Sequence, residues 1–342
     1  MGTVPGLDEV KERLDRLLSV TGPMRNPSAY LGRSRGKLLR PALVLLSAAL
    51  AGDVTEDAIN AAVAVELIHT ASLVHDDVVD ESDSRRGFPS VRCVFGNKTA
   101  VLLGDHLFAS AFELVIRSRK RSVVEVLCSA VKAMSSGELL NIENLFRTDL
   151  TEDDYYRYIG LKTASLMSAS CEAGAAAAGN RPQSRRSLAA FGWNLGMAYQ
   201  IMDDLSDLVA DPAGGGAPSC SDLRSGVVTL PVIKLIAVGG WAERVAAMWH
   251  SGAPCRPDPG PLLEALSTYG CLSYALRAGK SYTGLAVKIL SGFPDTPVLA
   301  ALRAIVRAVE DRCPPASLEK PAQLEQATDD IESTRVAGRP LQ

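Results

Sequence analysis

The chain has 342 residues, 47% of them hydrophobic and 22% charged, with a formal net charge of −3. That balance excludes global disorder, and the lack of a basic excess argues against a nucleic-acid binder held by charge. Aromatic residues make up only 5%, which turns the expectation from strands toward helices rich in Ala, Leu and Val.

The first residues do not read as a signal peptide, because Asp8, Glu9, Lys11, Glu12 and Arg13 stand where an apolar stretch would be needed. An apolar run over 38–51 is broken by Arg40 and Pro41 and is too short to span a bilayer. Pro41 opens a predicted buried helix over 42–51. Thr55 and Glu56 precede a long apolar-periodic stretch that reaches about residue 80, and Gly87 and Pro89 end the segment after it. Further helices are predicted over 98–117, 123–145, 153–179 and 185–209. The run 211–219 (DPAGGGAPS) and the run 251–260 (SGAPCRPDPG) read as loops, and 317–342 as a polar tail. No repeat period, βαβ alternation or glycine-rich phosphate loop is present. The seven cysteines include no CxxC pair, so they read as isolated, mostly buried thiols of a reducing cytoplasm. The expectation is one all-α domain spanning 1–342, with a core over about 30–315.

Two segments carry chemistry. In ELIHTASLVHDDVVDESDSRR, Asp76, Asp77 and Asp80 form a DDxxD. Residues four apart share a helix face, so Asp76 and Asp80 point the same way with Asp77 nearby. His69 lies close to two turns below them, and Arg85 and Arg86 follow within two turns. A lone acidic run is usually a solvated face. Here Leu67, Ile68, Leu73, Val74, Val78 and Val79 surround the acids, and charges set into an apolar helix need partners. Carboxylates suit Mg²⁺, which often bridges one or two of them to substrate phosphates, and guanidinium pairs suit bidentate phosphate contacts. In FGWNLGMAYQIMDDLSDLV, Asp203, Asp204 and Asp207 repeat the same spacing on a second apolar helix. Two such helices facing each other would form a carboxylate cage for a Mg²⁺-bound diphosphate.

Together with Gly36-Lys37-x-x-Arg40-Pro41, GNKTAVLLGD (96–105), Lys162-Thr163 and Gln200, these motifs resemble the trans-isoprenyl (polyprenyl) diphosphate synthases over most of the chain. The resemblance implies an isoprenoid synthase-type helical bundle around a deep central cavity, usually in a homodimer. It implies that Asp76, Asp80, Asp203 and Asp207 ligate Mg²⁺, with Asp77, Lys162 and Asp204 also in the catalytic set. Arg85, Lys162, Thr163 and Gln200 would hold an allylic diphosphate. Lys37, Arg40, His69 and Arg86 would hold isopentenyl diphosphate. The small residues Ala71 and Ser72 before the first motif imply a long product, about C30–C40, with Phe112 as a deeper floor.

The chain departs from the family pattern at Ala217 and Val227, where lysines are expected, and at Asn141, where GELLN replaces GExxQ. Tyr199 also stands where the family has Phe. The missing cations keep open a weakly active or regulatory subunit of a heteromeric synthase, and the shared ionisation step keeps open a class I terpene cyclase. No membrane anchor is visible, although a long apolar product implies transient membrane contact.

Overall fold

The computed structural model describes residues 4–19, 21–32, 36–85, 87–118, 120–179, 181–209, 219–250 and 258–312. Among these residues the secondary structure is helical, apart from one short β ladder. The all-α expectation is met. The chain divides into two compact units.

The first unit comprises residues 1–140, 157–200 and 281–310. Its opening helix α1 (Leu7–Leu18) buries Val10, Leu14 and Leu18, one residue per turn, as an amphipathic surface helix should. A single-turn 3₁₀ segment leads into α2 (Arg25–Leu31). Helix α3 (Leu39–Ala51) is buried without interruption from Pro41 to Ala48, so it is a core helix rather than an amphipathic one. Its start lies two residues before the proline that signalled it.

Helix α4 (Glu56–Val79) matches the predicted stretch closely. Thr55 Oγ1 caps it by accepting from Ala58 N at 3.3 Å, and Glu56 and Asp57 occupy its first turn, where negative charge meets the positive end of the helix dipole. The ladder pairing Ser84–Arg85 with Phe88–Pro89 follows. The sequence reading registered only that Gly87 and Pro89 end the segment, and Gly87 turns the chain with φ of +79°. Helix α5 (Val91–Phe95) is capped by Ser90 Oγ, which accepts from Cys93 N at 3.3 Å. Helix α6 (Asn97–Arg117) packs extensively along α4, as does α9 (Ser165–Ala178) along α3. The α3–α9 contact depends on Gly174, where a Cβ would lie 2.1 Å from the Val44 carbonyl oxygen.

The helices α4 and α6 are long and apolar enough to cross a membrane on length and composition alone. Most of the apolar window of α4 is buried inside the unit, which marks it as a core helix. On α6, Val101, Leu102 and Ile116 remain exposed.

Four helices supply residues to both units: α7 (Arg121–Asn144), α8 (Glu152–Ile159), α10 (Pro182–Leu208) and α15 (Cys271–Leu290). The predicted helix over 153–179 is helical as far as Ala178, but it is not α-helical throughout. Between α8 and α9 the turn Gly160–Ala164 is a π-helix, a widened turn often found at functional sites. Helix α16 (Pro297–Glu310) closes the first unit and packs on α3.

The second unit comprises residues 141–156, 201–280 and 311–342. Beside its shares of those four helices, it contains α11 (Ser221–Arg224), α12 (Leu230–Val238), α13 (Ala242–His250) and α14 (Gly260–Thr268). Its core includes Met202, Leu205, Leu230, Leu235, Val245 and Leu266. The loop 211–219 lies almost wholly, and the tail 317–342 wholly, outside the described residues.

Candidate active site

The first motif sits at the C-terminal end of α4, where the helix leaves the core. The three aspartates do not share one environment. Asp77 is buried and accepts from Arg85 Nε at 2.7 Å. It thereby ties the β ladder that carries Arg85 to the helix. The same ladder is held from α2 by Tyr30 Oη, which donates to the Pro89 carbonyl at 2.8 Å. Burial raises the Asp77 carboxyl above its usual range, and the Arg85 charge opposes that rise.

Asp76 faces elsewhere. Burial pushes its carboxyl up to about 7, with Lys162 pulling it down and Glu138 and Asp80 pushing it further up. Asp80, at the exposed end of the helix, is raised for the same leading reason and feels the same neighbours, Lys162 first and Glu138 next. The ammonium among them is held by Glu138, whose Oε2 lies 2.6 Å from Lys162 Nζ. Burial alone would depress Lys162, but Glu138 and Asp76 outweigh it and its pKa is raised. Lys162 projects from the π-turn. The next residue, Thr163, donates through Oγ1 to Gln200 Oε1 at 2.7 Å. Thus the adjacent Lys162 and Thr163 and the distant Gln200 occupy one neighbourhood of the first unit.

Arg40 and His69 also meet, with Nη1 and Nε2 3.0 Å apart. Lys37 is exposed, and Arg86 lies outside the described residues. His75 packs in the space left by Gly104 and contacts the Val101 carbonyl at 3.0 Å. Ala71 is fully buried in the core, while Ser72 is half-buried and donates to the His69 carbonyl at 2.9 Å. Phe112 packs against the same core from α6.

In the second unit the three aspartates again differ. Asp203 is paired with Arg312. Asp204 is buried and accepts from Tyr155 Oη at 2.6 Å. Asp207 Oδ1 accepts from Ser221 N at 3.0 Å and Ser221 Oγ at 2.6 Å, and its Oδ2 from Asp222 N at 3.1 Å. Those bonds fix the start of α11, so Asp207 is already heavily engaged. The loop after α11 is clamped by an aromatic pair. Trp249 Nε1 donates to the Leu223 carbonyl at 2.8 Å, and its ring meets Phe146 edge-on with centroids 5.5 Å apart. Phe146 N in turn donates to the Gly226 carbonyl at 2.8 Å. Val227 follows, half-buried, so no cation stands at that position; Ala217 lies outside the described residues.

Sequence reasoning missed Glu138, Tyr155 and Arg312. The GELLN segment contained the first of these, but only its Asn was weighed.

The carboxylates fit a hard divalent cation. Asp76 and Asp80 are oxygen donors one turn apart, and Asp76 carries an unfavourable charge that a cation would stabilise. Among the described residues no three Asp, Glu, His or Cys side chains form a ready-made metal cage.

Residues 22–250 match the family model described as polyprenyl synthetase. The chain is 34% identical to the short chain isoprenyl diphosphate synthase of Methanothermobacter thermautotrophicus, over 88% of this chain and 94% of that protein. It is equally similar, at 34%, to heptaprenyl diphosphate synthase component 2 of Geobacillus stearothermophilus, over 90% of this chain and 95% of the other. Its fold superposes on the decaprenyl diphosphate synthase of Rhodobacter capsulatus with a TM-score of 0.83 and 34% identity, covering 90% and 98% of the two chains. With the two DDxxD helices, the Lys162–Thr163 π-turn and these likenesses together, the chain belongs to the polyprenyl synthetase family of all-helical prenyltransferases.

Proposed function

We propose that the chain condenses isopentenyl diphosphate with an allylic diphosphate, head-to-tail and in the trans configuration, in a Mg²⁺-dependent reaction. The observation that carries this reading is the gathering of Asp76, Asp80 and Lys162 around one exit from the core, with Thr163 and Gln200 bonded beside them. Within the first unit Asp76 and Asp80 would hold Mg²⁺ and Asp77 would orient its neighbours through Arg85; within the second, Asp203 would hold Mg²⁺ and Asp204 would orient its neighbours through Tyr155. Asp207, engaged by three donors, would order α11. When bound, Mg²⁺ supplies positive charge that stabilises the departing diphosphate.

The protein's own groups do the rest. Lys162, Thr163, Gln200 and Arg85 grip the allylic diphosphate, so that negative charge developing on the leaving group meets fixed donors. Arg40 and His69, already in contact, would hold the second diphosphate with Lys37 and Arg86, placing the alkene beside the allylic carbon. The allylic C–O bond breaks, the alkene forms the new C–C bond, and the proton lost at the end passes to the released diphosphate. Family membership favours this reading over a terpene cyclase.

For product length, the names of the relatives run from short-chain to decaprenyl. The small Ala71 and Ser72 support a long product, about C30–C40. Ser72→Phe is expected to shorten the product by one or more C5 units, read by chromatography of the dephosphorylated prenols. An unchanged length would sink the assignment.

A homodimer is supported by the exposed apolar Val101, Leu102 and Ile116 of α6. The composition and isolated thiols support a cytoplasmic enzyme that meets membranes transiently through its lipid product. A second reading, a subunit that needs a partner chain, is favoured by Val227 and by the relative named as a component. Val227→Lys adds one charge-assisted contact to the diphosphate, worth about 1.5–3 kcal/mol. It is therefore expected to lower KM for the allylic substrate by about ten- to a hundredfold. Purified chain alone, given isopentenyl and farnesyl diphosphates, should make long-chain diphosphates with Mg²⁺ and none without it. A folded chain that elongates nothing by itself would move the assignment to the subunit reading.

A further inference from the structure

Glu138 presents a physical puzzle. A site built to receive a diphosphate places a carboxylate directly against the ammonium that should bind it. The ion pair is not incidental. Residue 137 is a glycine pressed onto the π-turn, and a Cβ there would lie 2.4 Å from Lys162 N and 2.9 Å from Leu161 C. Backbone meets backbone at this point, so the separation of α7 from the turn is fixed. Glu138, the next residue along α7, then meets Lys162 at 2.6 Å with both side chains mostly buried. Lys162 has other places to go, since its charge also interacts with Asp76 and Asp80.

We propose that Glu138 is a positioning residue that holds the Lys162 ammonium away from Asp76 and Asp80, so that those carboxylates stay available to a divalent cation. Without Glu138, Lys162 turns to Asp76 and neutralises it internally, and an incoming cation must displace an ammonium. With Glu138 in place, the lysine is parked one step from the site, ready to move onto a diphosphate. This inference rests on the reading of Asp76 and Asp80 as cation ligands.

The test is a double-mutant cycle on the full-length chain, using Mn²⁺ with inorganic diphosphate and following bound Mn²⁺ by electron paramagnetic resonance. Glu138→Gln is expected to weaken Mn²⁺ binding about tenfold, because it frees Lys162 to compete. In a Lys162→Met background the same change is expected to cost no more than about threefold, the residue of a lost distant charge. Glu138→Asp should recover part of the loss. Equal losses in both backgrounds would overturn the proposal, since they would make Glu138 a purely structural group. A larger loss in the Lys162→Met background would overturn it as well, by making Glu138 a ligand. Failure of the unaltered chain to bind Mn²⁺ with diphosphate would instead overturn the cation reading beneath it. Circular dichroism melts on each variant separate these outcomes from unfolding.

Discussion

Replacing Asp76 with Asn is expected to cut turnover by about 10²-fold or more while making the metal-free protein more stable. The two effects share one cause. Burial raises the Asp76 carboxyl to about 7, so the folded chain holds its proton more tightly than the unfolded chain does. A group raised in this way contributes stability at low pH. It loses that contribution as pH climbs from the ordinary aspartate range, 3.8, toward about 7. At neutral pH the metal-free fold therefore carries a cost that Asn removes, on the order of 1–3 kcal/mol. Denaturant titrations without Mg²⁺ should show the unaltered chain losing stability across that window and the Asn variant losing less. Activity should fall by about 10²–10³ or more, the scale for removing one electrostatic stabiliser of a leaving group. A variant that kept its activity would remove Asp76 from the chemistry.

Gly137→Ala is expected to damage both fold and function. The added Cβ would meet backbone atoms of Lys162 and Leu161, not the yielding end of a side chain. Either α7 or the π-turn must move. Overpacking of this kind costs about 1–3 kcal/mol, and a shift near 1 Å at Lys162 can cost about 10²-fold in rate. The denaturation midpoint and kcat/KM should fall together. A variant with normal stability and lower activity would mean that the turn adapts and only Lys162 is displaced.

Much of this arrangement was legible in the residues, for local reasons. The start of α4 follows from Thr55 with Glu56 and Asp57 behind it, because capping and first-turn charge act within a few residues. The shared outlook of Asp76 and Asp80 follows from helix periodicity. What periodicity does not set is the partner a side chain finds. Asp77 lies beside Asp76 in sequence, yet it turns to Arg85 on the β ladder. Asp207 repeats the position of Asp80 within its motif, yet it is taken up by the start of α11. Glu138 reads in sequence as an ordinary polar residue of a helix, because its role depends on a glycine contact with a turn far along the chain. The π-turn itself has no composition that distinguishes GLKTA from plain helix. The apolar stretch 42–51 signalled a buried helix, and burial holds as far as Ala48, but the stretch could not say that α9 would approach so closely at Gly174.

In the proposed reaction Asp76 and Asp80, beside Lys162, receive a cation carrying a diphosphate. Crystals grown with Mn²⁺ and inorganic diphosphate, with data collected at the manganese absorption edge, test it most directly. Anomalous density is expected within ligand distance of the Asp76 and Asp80 carboxylates, with the diphosphate within reach of Lys162 Nζ. Manganese bound elsewhere, with Lys162 still on Glu138 and the two aspartates without a metal, would contradict it.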